Sequence, residues 1–180
     1  GPGLGVELAL LAAKEGAQAV VLAARTAAKL SDAAQQIAAL NLSTKTLEVV
    51  TDISKAEDCK NLIEKTVVAF GRVDALINSA YIPGKFGTWE RWDFDDWRKA
   101  MDVNLFGSLM LSREAAKVMK SQTERGAIVM VNSMSTKKIV GAQAGYATSK
   151  AALATATKAL AMELAPLGIR VNSCFMGWMW

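Results

Sequence analysis

Histidine is absent from the 180 residues, and cysteine occurs only twice. Without histidine, a Ser-His-Asp or Cys-His catalytic unit and any His-bearing metal site are excluded within this sequence. Acid–base chemistry must then use Tyr, Lys, Asp, Glu, Cys or water. Two lone cysteines, Cys59 and Cys174, make neither a disulfide framework nor a zinc cluster, and they suit a reducing, cytoplasmic setting. Long apolar runs are missing too. Leu8 to Ala13 and Ala19 to Ala24 are six residues each, against about 20 for a membrane span, so no membrane partner is expected. No secretory leader is readable. Charge of one sign is scarce: 21 Lys plus Arg stand against 17 Asp plus Glu, a net of +4. The basic residues are scattered among acids, which argues against a nucleic-acid partner.

What is present is apolar: 52% of the residues are hydrophobic, enough to exclude disorder and to build one domain, taken as residues 1–180. Gly1-Pro2-Gly3-Leu4-Gly5 feeds an Ala/Leu-rich stretch from Val6 to Glu15, a glycine turn entering a helix. Gln18 to Ala24, Thr46 to Thr51, Asp74 to Asn78, Gly126 to Asn132 and Ile169 to Cys174 read as strands. Between them, Thr26 to Leu40, the segment from Ser54 to Phe70, Phe94 to Ser121 and Tyr146 to Ala165 read as helices. Ser54 is expected to cap the second of these, with Glu57 at its third position. The Phe94 helix is expected to bend near Gly107. Alternating strands and helices, with each strand a continuous apolar run, predict a parallel sheet covered by helices on both faces. A glycine turn of this kind follows a strand, and none precedes Gly1. The sequence therefore reads as an interior portion of a protein on the order of 250 residues.

Closely spaced glycines let backbone approach a pyrophosphate, and the helix N-terminus behind them favours the anion; an ordinary strand–helix turn has the same look. Arg25 follows the second strand of such a fold, whose end lies by the adenosine ribose; an acid there would take the 2′-hydroxyl, and an arginine accommodates a 2′-phosphate. It favours NADP over NAD, although a surface arginine closing the strand reads alike. Asp52 and Asn78 end the next two strands, at the carboxyl edge where open α/β sheets bind ligands; Asp52 could equally cap the following helix. Tyr146 and Lys150 lie four residues apart and so share a helix face. A phenol titrates near ~10 in isolation, and a neighbouring ammonium lowers that value. Such a tyrosine passes a proton to or from a carbonyl or alcohol oxygen. Ser133 ends a strand 13 residues before Tyr146, where a hydroxyl can hold the reacting oxygen. Asn104 offers a polar group that could hold a water near Lys150.

These residues together resemble the short-chain dehydrogenase/reductase family, of its shorter type. Gly1, Gly3 and Gly5 resemble the later part of its cofactor glycine motif, Asp52 its adenine-contacting acid, and Asn78-Ser79-Ala80-Tyr81 its Asn-Asn-Ala-Gly motif. Asn104, Ser133, Tyr146 and Lys150 resemble its catalytic tetrad, and Ile169-Arg170-Val171-Asn172-Ser173 the strand leading to its Pro-Gly turn. Ser79 and Tyr81 depart from that pattern, as does Met176-Gly177. The resemblance implies a Rossmann-like doubly wound parallel sheet with its first and last strands missing from this chain. It implies NADP, with NAD possible, held by Gly1, Gly3, Leu4, Gly5, Arg25, Thr26, Asp52, Ile53, Asn78, Ser79, Ala80, Tyr146, Lys150 and Gly177, and no metal. It implies hydride transfer between the nicotinamide and a ketone or secondary alcohol, with Tyr146 as the acid–base group. A catalytically inactive cofactor-binding or scaffold protein on the same fold is the alternative. Family members pair two helices across a two-fold, so a homodimer or homotetramer is implied, through Leu105, Leu109, Ala115 and Ala116 and through Ala151 to Ala161. Trp89, Trp92, Trp97, Trp178 and Trp180 suggest an apolar, bulky small-molecule substrate.

Overall fold

The Ala/Leu-rich stretch behind the glycine turn forms α1, Leu4–Lys14, which starts two residues before the expected position. A computed structural model describes residues 3–177; the calls on Gly1, Trp178 and Trp180 lie outside them. The described residues fall into two compact units, divided between Arg72 and Val73.

In the first unit, β1 (Ala19–Ala24) and β2 (Lys45–Val50) pair in parallel, Ala19 opposite Lys45 through Ala24 opposite Val50. α2 (Ala27–Ala38) and α3 (Ala56–Phe70) complete it. Ala9 and Ala13 of α1, Leu22 of β1 and Leu30, Ala33 and Ile37 of α2 form one buried cluster, joined by Val20 and Ala24. The spacing of Leu30, Ala33 and Ile37 puts them on one helical face, and alternate β1 positions meet them. Gly71 closes α3 in the left-handed conformation (φ 78°), its N–H donating to the Val67 carbonyl at 2.8 Å, a geometry that glycine adopts without strain.

Ser54 does not cap α3. Its N–H and hydroxyl both donate to Asp52 Oδ1, at 3.1 and 2.7 Å, while Lys55 occupies the cap position without a side-chain bond. Asp52 accepts better than a neutral hydroxyl because it is charged, so it captures the turn that the serine was expected to organise.

The second unit holds a three-stranded parallel sheet in the order β3 (Ala75–Asn78), β4 (Ala127–Ser133), β5 (Arg170–Met176). Its helices are α4 (Phe94–Met101), α5 (Ser108–Met119) and α6 (Ala144–Leu164). Asp93 caps α4, accepting from the Asp95 and Asp96 N–H groups. Burial alternates along β4, with Ile128, Met130 and Asn132 inward. Among the described residues the strands thus form two parallel sheets, of two and three strands.

The expected long helix from Phe94 is interrupted. Residues Asp102–Gly107 form a wider π-turn between α4 and α5, the irregularity that the glycine at 107 only partly foretold. Leu105, Ala115 and Ala116, expected on an intersubunit face, are buried within this unit. The large apolar side chains that this stretch leaves exposed are Phe94 and Phe106, with Met162 on α6, where Ala151 and Ala159 of the expected face are exposed as well.

Candidate active site

Asn78 and Ser133 end neighbouring parallel strands, so both sit at the carboxyl edge of the second unit's sheet. α6 packs along β4 and β5, and it carries Tyr146 and Lys150 on its first two turns.

Ser133 is half-buried, and its oxygen is well supplied with donors: the Ser135 N–H at 3.1 Å and the Ser135 hydroxyl at 2.8 Å. A hydroxyl accepts at most two such bonds, so the Ser133 proton is left to donate outward. Tyr146 faces it, half-buried. Burial pushes the Tyr146 phenol above its ordinary value of 10.0; the hydrogen-bonding Ser133 side chain pulls it down, and Tyr81 raises it. This reverses the lowering expected from Lys150. Lys150 is buried, and its Nζ donates to the Val131 carbonyl at 2.9 Å. Desolvation brings its pKa from 10.5 to about 8. The ammonium donates to a backbone carbonyl, and burial is the largest influence on both groups.

Asn104 is fully buried in the π-turn, and both ends of its side-chain amide are bonded to protein. Oδ1 accepts from the Ile82 N–H at 2.8 Å; Nδ2 donates to the Ile82 carbonyl at 2.9 Å and to Ser149 Oγ at 3.0 Å. Ser149 in turn donates to the Tyr146 carbonyl at 2.7 Å. Asn104 therefore ties the loop after β3 to the first turn of α6. Asn78 is also buried; its Nδ2 reaches Ser112 Oγ at 3.0 Å and Met130 Sδ at 3.3 Å, while Oδ1 finds no protein partner. Ser79 is half-buried, and Ala80, Tyr81 and Gly177 are exposed.

Sequence reading missed Ser135 and Ser149. Neither stands at a motif position, and each acts through a contact that only folding creates. The small Gly145, just before Tyr146, does carry a signal: a Cβ there would lie 3.0 Å from the Trp97 ring. Trp97 is half-buried and clusters with Trp92 and Phe94, at ring separations of 5.0 and 5.8 Å. Trp89 is exposed.

In the first unit, Gly3 precedes α1 with open space around its Cα, and Gly3 and Gly5 are exposed while Leu4 is half-buried. Gly3 makes no side-chain cap, so the first-turn N–H groups lack a capping acceptor from that residue. Arg25 is exposed at the end of β1, and Thr26 precedes α2 without a capping bond. Asp52 is held below the usual carboxylate range by the Ser54 hydrogen bond first, with burial opposing and the charges of Arg25 and Lys55 adding to the lowering. The Ile53 carbonyl accepts from Cys59 Sγ at 3.3 Å. Among the described residues no group of side chains could hold a metal ion, and no helix is long and apolar enough to cross a membrane.

The sequence model of the short chain dehydrogenase family matches residues 1–179. The chain belongs to the short-chain dehydrogenase family. It is 35% identical over 164 residues to 11-beta-hydroxysteroid dehydrogenase A of Sesamum indicum, covering 91% of this chain and 46% of that protein. An uncharacterized oxidoreductase of Staphylococcus aureus (strain MRSA252) is 34% identical over 179 residues, covering 98% of this chain and 74% of the relative. The crystal structure of NAD+-bound xylitol dehydrogenase superposes with a TM-score of 0.90 at 28% identity, over 98% of this chain and 67% of that one. The chain thus spans about half the length of the sesame relative and three quarters of the staphylococcal one. The fold is Rossmann-like, with parallel strands and covering helices.

Proposed function

We propose that this short-chain dehydrogenase interconverts a ketone and a secondary alcohol with NADP(H), as one domain over residues 1–180. The observation that carries the reading is Ser133: its oxygen accepts from Ser135, and its side chain hydrogen-bonds the half-buried Tyr146 phenol. In reduction, Ser133 donates a hydrogen bond to the substrate carbonyl oxygen and polarises it. Tyr146, which burial keeps protonated at neutral pH, then passes its proton to that oxygen as negative charge builds there. Lys150 contributes a buried positive charge behind this pair, fixed by the Val131 carbonyl, and would also contact the nicotinamide ribose. Asn104 acts at one remove, holding α6 and the loop at Ile82 in register. When bound, the dinucleotide supplies or accepts the hydride.

The donor set of the first unit fits that dinucleotide. The backbone N–H groups at the start of α1, at the exposed Gly3 with Leu4 and Gly5, suit its phosphates. Arg25, exposed at the strand end with Thr26 beside it, suits a 2′-phosphate and so favours NADP. Asp52 and Ile53 would flank the adenine. In the second unit Asn78, Ser79, Ala80 and Gly177 would line the nicotinamide side. The exposed Phe94 and Phe106 support a homodimer or homotetramer, and the aromatic cluster around Trp97 supports an apolar small-molecule substrate. A cytoplasmic location agrees with two cysteines outside any disulfide framework.

Tyr146→Phe tests the assignment. Reduction of a ketone panel with NADPH should fall about a thousandfold, with nucleotide binding by fluorescence unchanged. Retained turnover would sink it.

A further inference from the structure

We propose that Tyr81 is a positioning residue for the proton-handling pair, its ring holding the Lys150 ammonium and bracing the Tyr146 phenol. The proposal rests on the reading that Tyr146 and Lys150 do the chemistry. Tyr81 belongs to the loop after β3 and not to α6, yet it touches both residues. Its ring meets Tyr146 edge-on, with centroids 6.1 Å apart and planes at 61°. Lys150 Nζ stands over the same ring, 6.0 Å from its centroid.

Each contact has a separate physical consequence. An edge-to-face pair restricts the plane of the Tyr146 ring and so the direction of its hydroxyl. A π face attracts an ammonium and favours its charged form. Lys150 needs that support, because burial alone draws its pKa down to about 8 and its other polar partner is the single carbonyl of Val131. The amine is thus held between a carbonyl and a ring.

The loop is built to keep Tyr81 in place. Asn104 grips both the N–H and the carbonyl of Ile82, the next residue. The backbone at Tyr81 is therefore anchored although its side chain is 58% exposed. The motif this loop resembles ends in glycine, which has no side chain to perform either task; the ring is a feature of this sequence. The groups that face Tyr146 are Ser133 from β4 and Tyr81 from the loop, Lys150 stands over the Tyr81 ring, and α4 brings the uncharged Trp97 against the neighbouring Gly145.

The test compares Tyr81→Leu with Tyr81→Phe in steady-state ketone reduction with NADPH across pH. Tyr81→Leu should lose roughly tenfold in kcat, with the KM for nucleotide within about twofold. Its alkaline limb should move to lower pH, because the phenol is less buried and the ammonium has lost its π face. Tyr81→Phe keeps the ring, so its kcat should stay within about twofold of the parent. If Tyr81→Leu matches the parent in both kcat and pH profile, the proposal is overturned. It is also overturned if Tyr81→Phe falls as far as Tyr81→Leu. Tyr146→Phe in the same assay separates the two ideas: turnover retained there refutes the catalytic reading itself.

Discussion

The two units handle polar groups in opposite ways. In the first, the cluster around Leu22, Leu30 and Ile37 is aliphatic, and Gly3, Gly5 and Arg25 of the nucleotide set lie exposed at element ends, with Leu4, Asp52 and Ile53 half-buried. In the second, Asn78, Asn104, Ser108, Ser112, Asn132, Ser149 and Lys150 are all buried. Nearly all of them are bonded inward, Ser112 to the Ser108 carbonyl at 2.7 Å, Ser149 to Tyr146, Lys150 to Val131. The difference follows from the tasks. Binding phosphates needs accessible backbone N–H groups, which a helix end provides without burying anything. Proton transfer needs groups fixed to a fraction of an ångström in a medium of low dielectric, and that requires polar side chains to be desolvated and held.

The contrast can be broken most severely at Asn104. Asn104→Leu would leave the Ile82 N–H and carbonyl without their side-chain partners and free Ser149 from its donor. A loss of about 3 kcal/mol in unfolding free energy is expected, measured by urea denaturation, with turnover falling alongside. A variant as stable as the parent would show the buried network to be dispensable.

Lys150 should behave in the opposite sense. Its folded pKa of about 8 lies below the ordinary 10.5, so the folded state gives up this proton first. The penalty for a buried charge is complete below pH 8 and relieved as pH rises from 8 towards 10.5. Lys150→Met should therefore stabilise the protein at pH 7 by up to about 3 kcal/mol, abolish turnover, and lose the rise in stability between pH 7 and 9.5 that the parent shows. Denaturation curves at those two values check it.

The smallest effect belongs to the first unit. Arg25→Asp replaces an exposed group, so stability should change little. The preference for NADPH over NADH should fall at least about tenfold, read from the ratio of kcat/KM for the two nucleotides. An unchanged ratio would remove Arg25 from the nucleotide site.

Much of the fold was legible because it rests on local pattern. The runs at Ala19 to Ala24 and Gly126 to Asn132 became β1 and β4, and the Leu30–Ile37 spacing became the buried face of α2. Local chemistry misled at Ser54, where a neighbouring carboxylate outcompeted the hydroxyl. The expected intersubunit face divides: Leu105, Ala115 and Ala116 are buried while Ala151 and Ala159 are exposed, because an apolar stripe does not say which surface will cover it. In the site, the residue types at 104, 133, 146 and 150 could be picked from spacing. What they touch could not: Asn104 spans 22 residues to Ile82 and 45 to Ser149, and the π-turn that places it leaves no periodic trace.

The sequence by itself determined the order of strands and helices, the exclusion of histidine chemistry, and the presence of a phenol and an amine one helical turn apart. Those depend on residue type and near-neighbour spacing, which the chain carries directly. Tertiary structure alone decided that burial raises the Tyr146 phenol and lowers the Lys150 amine, that Ser135 fills the Ser133 oxygen, and that Tyr81 lies against both partners. Desolvation and ring contacts depend on which distant segments exclude water from a given atom, and only the folded chain brings those segments together.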